Sequence, residues 1–171
     1  MNEVLRLTAL FIRDLLDYDE SLIKIGRQGD DIEDFTTDYI AVDILGQAQR
    51  LASGQSFDGD AESMQYAQQW QAPVTVSFYG NLAWSNATEF TLLIPSQASL
   101  ELQESLGAGV YQVGGLTDVK LLTGVQYGNR IEATLNIQYS ISADVDTKRI
   151  DTERIELQTE RGEKEYVTWR I

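Results

Sequence analysis

The sequence predicts an α+β fold in which a largely antiparallel, mixed β-sheet has its helices packed on one face. Three features support this class: an amphipathic helix at the amino terminus, runs of alternating apolar and polar residues, and two short helical segments between those runs. Hairpin-type turns join many of the runs, which favours antiparallel pairing. We expect a single domain, residues 1–171, in which residues from about 160 to 171 form a flexible or partner-docked C-terminal tail.

The first helix is predicted from Asn2 to Asp17, where apolar residues recur every three to four positions. Its apolar stripe consists of Val4, Leu7, Phe11 and Leu15. The polar run Tyr18–Ser21 ends the helix. A short strand, Leu22–Ile25, follows, and a polar, acidic loop comes after it.

Two strands with a turn-rich connection between them are predicted next. Tyr39–Leu51 alternates as a strand, with a bulge at Gly46. Ser53–Asp60 contains Ser-Gly and Asp-Gly pairs, which predict a connection without regular structure. Tyr66–Phe78 is the second strand. Because Pro73 has no backbone N–H, this strand is expected at a sheet edge or with a bulge.

A helical region follows the second strand, with Asn81 as its predicted N-cap. The apolar face of this helix consists of Ala83, Ala87, Phe90 and Ile94. Pro95 interrupts the helix. A second helical segment, Ser99–Leu106, is closed by Gly107.

The rest of the chain is predicted to be β-structure. Val110–Val113 is a short strand, Tyr127–Arg130 is a tight hairpin turn, and a last strand covers about Ile150 to Thr159. Between the last two lies the clearest alternation in the sequence, in residues 130–146. Its apolar residues are Ile131, Ala133, Leu135, Ile137, Tyr139, Ile141, Ala143 and Val145.

This long strand exceeds the size of a compact domain. Arg130 to Asp146 spans about 54 Å when extended, whereas a compact chain of this length is about 40 Å across. The strand must therefore bend, break or project as an arm. Since a projecting apolar face needs a partner to cover it, two interpretations stand: an arm that contacts a neighbouring subunit, and a strand that bends within one sheet.

Composition excludes several classes of chemistry. The chain has no cysteine and no histidine, and its 27 acidic and 13 basic residues give a net charge of −14. Disulfides, thiolate nucleophiles, zinc ribbons, Ser-His-Asp triads and histidine-ligated metals are therefore excluded. The acidity disfavours nucleic-acid binding, which depends on Lys and Arg. No segment is typical of a signal peptide or a membrane span, so we expect a cytosolic binding or structural protein.

No residue set predicts a catalytic, cofactor or metal site, and none is assigned. Asp58–Glu62 matches a calcium-binding loop only in part, because the required spacing fails at its fifth and sixth positions. The acidic run Asp30–Asp34 is interpreted as a solvated loop, or else as a surface that repels DNA or meets a basic partner. Three tryptophans could stack on bases, but two of them occupy positions expected to face the core, so burial is the better account of them. They are Trp70, Trp84 and Trp169.

The region from Val74 to Leu157, together with the first helix, resembles the phage neck (tail) terminator family of tailed bacteriophages. The residues that carry the resemblance are Val76-Ser77-Phe78-Tyr79-Gly80-Asn81, Leu82-Ala83-Trp84, Val113-Gly114-Gly115-Leu116-Thr117-Asp118, Gln126-Tyr127 and Phe11-Ile12-Arg13-Asp14-Leu15-Leu16. The sequence departs from the family pattern in the acidic, polar segment Ser53–Ser63 and in Pro95, which breaks a helix.

The resemblance implies a tail-terminator-like fold with a long β-hairpin or arm, and a structural virion protein without catalytic residues. Such proteins form a homo-oligomeric ring, usually a hexamer, at the head-proximal end of the tail tube. The ring terminates tube assembly and joins the tail to the neck or head connector.

The implied partners are other copies of the chain, the tail tube or sheath protein, and a neck or head-completion protein. Genomic DNA would only pass through the bore of the ring, without specific binding. That residues 30–34 line this bore is a hypothesis. The resemblance implies no membrane and no cofactor. The implied location is the virion tail or neck, after assembly in the host bacterial cytoplasm. The alternative is another virion part of similar fold, a tail tube or head–tail adaptor protein.

Overall fold

The structure is a computed structural model of the chain, and it describes residues 3–26, 37–119, 121–123, 126–146, 152–158 and 164–170. The chain forms two compact units. The first unit consists of Met1–Ser53 and Gln68–Ile141, and the second consists of Gly54–Ala67 and Ser142–Ile171. The acidic run 30–34 lies outside the described residues.

The elements follow one another as helix, strands, two helices and strands. The helices are α1 Glu3–Leu16, α2 Ala83–Leu93 and α3 Gln97–Leu106, with a short 3₁₀ helix at Glu20–Leu22. The strands are β1 Ile23–Ile25, β2 Tyr39–Ile44, β3 Gln49–Asp58, β4 Ser63–Tyr79, β5 Ala108–Gln112, β6 Thr117–Asp118, β7 Leu121–Thr123, β8 Gln126–Gly128, β9 Arg130–Asp146, β10 Thr152–Gln158 and β11 Lys164–Arg170.

The main sheet has seven strands, and its central order is β1-β2-β4-β9-β5. β3 also pairs with β4, and β6 with β9. The β2–β4, β5–β9 and β6–β9 pairs are antiparallel, whereas β1 runs parallel to β2 with Ile23 opposite Ile40. The predicted α+β class and the largely antiparallel, mixed sheet are therefore confirmed.

The core lies between one face of this sheet and the helices. α1 packs against α2, α3, β1 and β2. Phe90 of α2 is fully buried, and its ring contacts Phe11 of α1 edge-to-face at 6.3 Å and Phe78 of β4 at 5.6 Å between centroids. The sheet contributes alternate residues to the core because successive side chains of a strand point to opposite faces. These are Ile40, Val42, Ala72, Val74, Val76, Phe78, Ala108, Val110, Ile131, Ala133, Leu135 and Ile137.

Two predicted boundaries around the hairpin of β3 and β4 are wrong. Tyr39–Leu51 is not one strand, because β2 ends at Ile44 and β3 begins at Gln49, with Gly46 at φ +88° between them. Ser53–Asp60 is not an irregular connection either, since β3 continues to Asp58. Pairing with β4 stabilises β3 although its composition is typical of a turn.

The edge position predicted from Pro73 is wrong, because β4 is a central strand paired with β2 and β9. The alternative, a bulge at Pro73, stays a prediction. The Pro73 carbonyl accepts a hydrogen bond from Leu45 N at 2.9 Å, just beyond the last residue of β2. In an antiparallel pair the N–H and C=O of one residue point to the same neighbour. The missing N–H therefore faces Leu45, beyond the end of β2, and removes no hydrogen bond from the pairing of β4 with β9.

The later elements bring further corrections. Asn81 is not the N-cap of α2, whereas Gly107 closes α3 in the predicted left-handed conformation. Tyr127–Arg130 is not a hairpin turn, because β8 pairs back onto β7 and β9 starts at Arg130. The long strand, Arg130–Asp146, is confirmed and does not break. Residues 160–171 contain β11, which pairs antiparallel with β10, and their role as a flexible or partner-docked tail stays a prediction.

Candidate interaction surfaces

The apolar alternation of β9 continues beyond the part of the strand that the core covers. In the first unit, Ile137 is buried but Ile141, on the same face of the strand, is 54% exposed. In the second unit, Phe57 of β3 and Tyr66 of β4 are each 45% exposed. No helix occurs among the described residues of the second unit. These strands therefore present apolar side chains that an assembly could bury.

A second apolar surface lies on the outer face of α2, in the first unit. Trp84 is 58% exposed and Leu92 is 73% exposed, and Thr88 lies between them at helical spacing. The prediction that burial accounts for the tryptophans is therefore wrong for Trp84. Trp70 is half-buried and donates a hydrogen bond from Nε1 to the Gln68 amide oxygen at 3.2 Å, whereas the side chain of Trp169 lies outside the described residues.

The position of α2 depends on a contact with a distant residue. Asp38 Oδ1 accepts a hydrogen bond from Leu82 N at 2.8 Å, so a carboxylate that precedes β2 caps the helix instead of Asn81. Gly80, at φ +95°, allows the close approach of Asp38. On the inner side, Ala83 and Ala87 are fully buried. The small side chains of Ala83 and Ala87 on the inner face and the Asp38 cap at the first turn together determine the orientation of α2. This orientation sets the direction in which the Trp84 side chain projects.

A cleft of about 380 Å³ lies where α3 ends and β5 begins, also in the first unit. Leu51, Tyr111 and Tyr139 contribute its apolar wall, and Gln69 contributes to its rim. A β-carbon at Gly109 would lie 3.0 Å from the Tyr111 ring, which is a tight contact. The cleft therefore combines an apolar wall with polar side chains such as Gln103, Gln138 and Ser140.

The helix-free face of the sheet is polar. Tyr39 and Tyr79 stack at 4.4 Å between ring centroids, with Lys24 over one ring and Arg130 over the other. Arg130 also forms an ion pair with Glu132. Burial, and secondly the neighbouring Tyr79, raise the pKa of Tyr39 above its ordinary value. These groups therefore form a connected polar and aromatic cluster on this face of the sheet.

The comparison with known families decides the identity. A family described as phage neck terminator protein matches residues 2–163 of the 171 residues. The chain belongs to this family. No curated protein matches the sequence significantly. The predicted resemblance is therefore confirmed over almost the whole chain.

Membership of the neck terminator family gives the chain a structural role in the phage tail and neck, in association with other tail and neck proteins. The family is a structural virion family that is not known for enzymatic activity. None of the helices in the described parts of the chain is long and apolar enough to cross a membrane.

Two acidic residues of this neck terminator, Asp58 and Asp19, have local structural partners. Asp58 Oδ1 accepts hydrogen bonds from the backbone N–H groups of Asp60 and Ala61, so the loop resembling a calcium site is a capped turn. Among the described residues no three acidic side chains are grouped to hold a metal ion. Near α1, hydrogen bonds from the Ser21 backbone and hydroxyl lower the pKa of Asp19.

Sequence reasoning missed the two surfaces of the first unit. The α2 segment did contain a signal, because its outward positions hold Trp84 and Leu92 and its only charged residue is Glu89. A helix with apolar residues on both faces is typical of one that is covered on both sides. The cleft had no such signal, because Leu51, Tyr111 and Tyr139 are far apart in sequence and only folding brings them together.

Proposed function

We propose that this neck terminator forms a homo-oligomeric ring, expected to be a hexamer, at the head-proximal end of the tail tube. The ring stops polymerisation of the tube and joins the tail to the neck or head connector. The observation that carries the proposal is the family match over residues 2–163. Exposed apolar residues such as Tyr66 and Ile141 support it, since apolar surface on strands is typical of subunit contacts.

The negative charge supports a passive role towards DNA. With a net charge of −14, the chain repels a polyanion on average, so a duplex could pass through a ring of such subunits without adhering to it. The proposed contacts are therefore with other copies, the tail tube or sheath protein, and a neck or head-completion protein. Assembly takes place in the host bacterial cytoplasm, and the mature location is the virion.

The test is to purify the chain and determine its mass by light scattering and its shape by electron microscopy, alone and with tail tubes from a phage that lacks this gene. We expect closed rings and tubes capped at one end. A protein that stays monomeric and never caps a tube would refute the proposal. Long tubes formed by the protein alone would instead support the alternative role of a tail tube protein.

A further inference from the structure

The outer face of α2 has the character of a surface that is covered in an assembly. Ala83, Ala87 and Phe90 bury its inner face, yet Trp84 and Leu92 make its outer face apolar as well. They lie eight residues apart, or about 12 Å along the helix axis. Tryptophan is among the residues that contribute most to binding when it fills a pocket of a partner.

The cleft beside β5 is a complementary feature of the same unit. Its lining combines the apolar side chains of Leu51, Tyr111 and Tyr139 with polar ones such as Gln103 and Gln138, and its volume of about 380 Å³ is within the range of ligand pockets. A projecting apolar group and a receiving cleft at different places on one chain define a head-to-tail contact. Contacts of this kind close into rings when the rotation between neighbours allows it.

Charge favours these two surfaces for contact between copies. Copies with a net charge of −14 repel one another, and like charges placed opposite each other cost several kcal/mol across an interface. α2 carries Glu89 as its only charged residue, and Glu104 is the only charged one among the described residues that line the cleft. By contrast, the tip of the β3–β4 hairpin carries Asp58, Asp60 and Glu62.

We propose that Trp84 on α2 of one copy occupies the cleft lined by Leu51 and Tyr111 on the next copy. The inference rests on the proposed ring, and it identifies the lateral contact of that ring. Pairing of α2 with α2 of a second copy is disfavoured, because it would leave the cleft empty. The outer face of α2 on each copy thus contacts the cleft of one neighbour, and its own cleft contacts α2 of the other neighbour.

The first test uses disulfide formation, which is unambiguous in a chain without cysteine. Thr88 is one helical turn from Trp84, and Gln69 is an exposed residue at the cleft. The double variant Thr88→Cys/Gln69→Cys is oxidised in the assembled state. We expect a ladder of covalent multimers, because each copy links to the next. A mixture of the two single variants should give only a covalent dimer, and each single variant alone should give none.

The second test measures association directly. Trp84→Ser is expected to weaken subunit association about 30-fold or more, as for a residue at the centre of an interface. The matched control is Leu45→Ser, which removes an equally exposed apolar side chain, 53% exposed, that lines neither surface. The control should associate like the unchanged protein. Both variants should keep the thermal midpoint of the monomer, so that any loss of association is not a loss of folding.

The outcomes separate this inference from the proposed function. If Trp84→Ser still forms intact rings and the double cysteine variant gives no disulfide ladder, the lateral contact is wrong, but the proposed ring stands. Covalent dimers of Thr88→Cys alone would overturn it in favour of α2–α2 pairing. Rings of Trp84→Ser that no longer cap tail tubes would assign α2 to a different virion protein. If the protein without substitutions stays monomeric even when tail tubes are added, both the proposed ring and the proposed lateral contact are refuted.

Discussion

Gly80 is the residue whose replacement should most clearly test how α2 is positioned. Its φ of +95° lies in the left-handed region, and a β-carbon there would overlap with Asp38 Oδ1 and lie 2.8 Å from the Thr37 carbonyl oxygen. One of these neighbours is backbone, so a side-chain rotation alone cannot relieve the overlap. Asp38 must therefore move, and its hydrogen bond to Leu82 N is lost with it.

The expected cost of Gly80→Ala follows from these two effects. A left-handed conformation costs a residue with a β-carbon about 1–2 kcal/mol. Loss of the Asp38 cap costs about 1 kcal/mol more. The sum, about 2–3 kcal/mol, is a large part of the 5–15 kcal/mol by which domains are typically stable. For a chain of this length it corresponds to a fall in the thermal midpoint of about 4–12 °C.

Two other glycines of the first unit provide graded controls for this measurement. Gly107 also has a positive φ, +62°, but no atom lies within 4 Å of its β-carbon position, so Gly107→Ala should cost only about 1 kcal/mol. Gly115 has neither constraint, and Gly115→Ala should change stability little or raise it by about 0.4–1 kcal/mol. Thermal and urea unfolding followed by circular dichroism measures all three. Equal losses for Gly80→Ala and Gly107→Ala would refute the proposed contact with Asp38.

Three further predictions concern the core and the pH dependence. Phe90→Ala should lower the free energy of unfolding by about 3–5 kcal/mol, whereas Leu92→Ala, two residues away and exposed, should change it by less than about 0.5 kcal/mol; urea unfolding of the monomer tests both. The lowered pKa of Asp19 means that its stabilisation is present above its unfolded value, about 3.9, and is lost as the pH falls; Asp19→Asn should flatten this acid limb in thermal melts. The raised pKa of Tyr39 means that the unfolded chain loses this proton first, so stability should fall above about pH 10, and less so in Tyr39→Phe.

The periodicity of apolar residues correctly predicted the elements in which a single pattern, helical or alternating, extends over the whole segment. α1 and the long strand Arg130–Asp146 were located to within a residue or two, because an apolar stripe and a strict alternation each specify one structure. The predictions at Ser53–Asp60 and Asn81 failed for a common reason. In both cases a partner distant in sequence, β4 in one and Asp38 in the other, determines the local structure.

The candidate surfaces were predictable only in part. Ile141 follows from the strand alternation, and the suggestion that the apolar face of β9 exceeds its cover came from strand length alone. The exposure of Trp84 could not be predicted from the sequence, because a position next to Ala83 and Ala87 is equally compatible with the core. The close packing of α2 against the core distinguishes these positions. Ala83 and Ala87 allow α2 to approach the core closely, and the larger Trp84 side chain remains outside.

Electrostatics narrows the places at which copies of this chain can meet. No Lys or Arg occurs from residue 51 to residue 119, so the acids of the hairpin tip have no basic neighbour along the sequence. Repulsion between acidic surfaces acts over about 8 Å at physiological ionic strength, and two copies in contact are closer than that. Copies must therefore join through surfaces where acids are sparse, as on α2 and in the cleft. Association of this kind strengthens when salt screens the repulsion, whereas binding to DNA weakens with salt, so the sign of the salt dependence separates self-assembly from nucleic-acid binding.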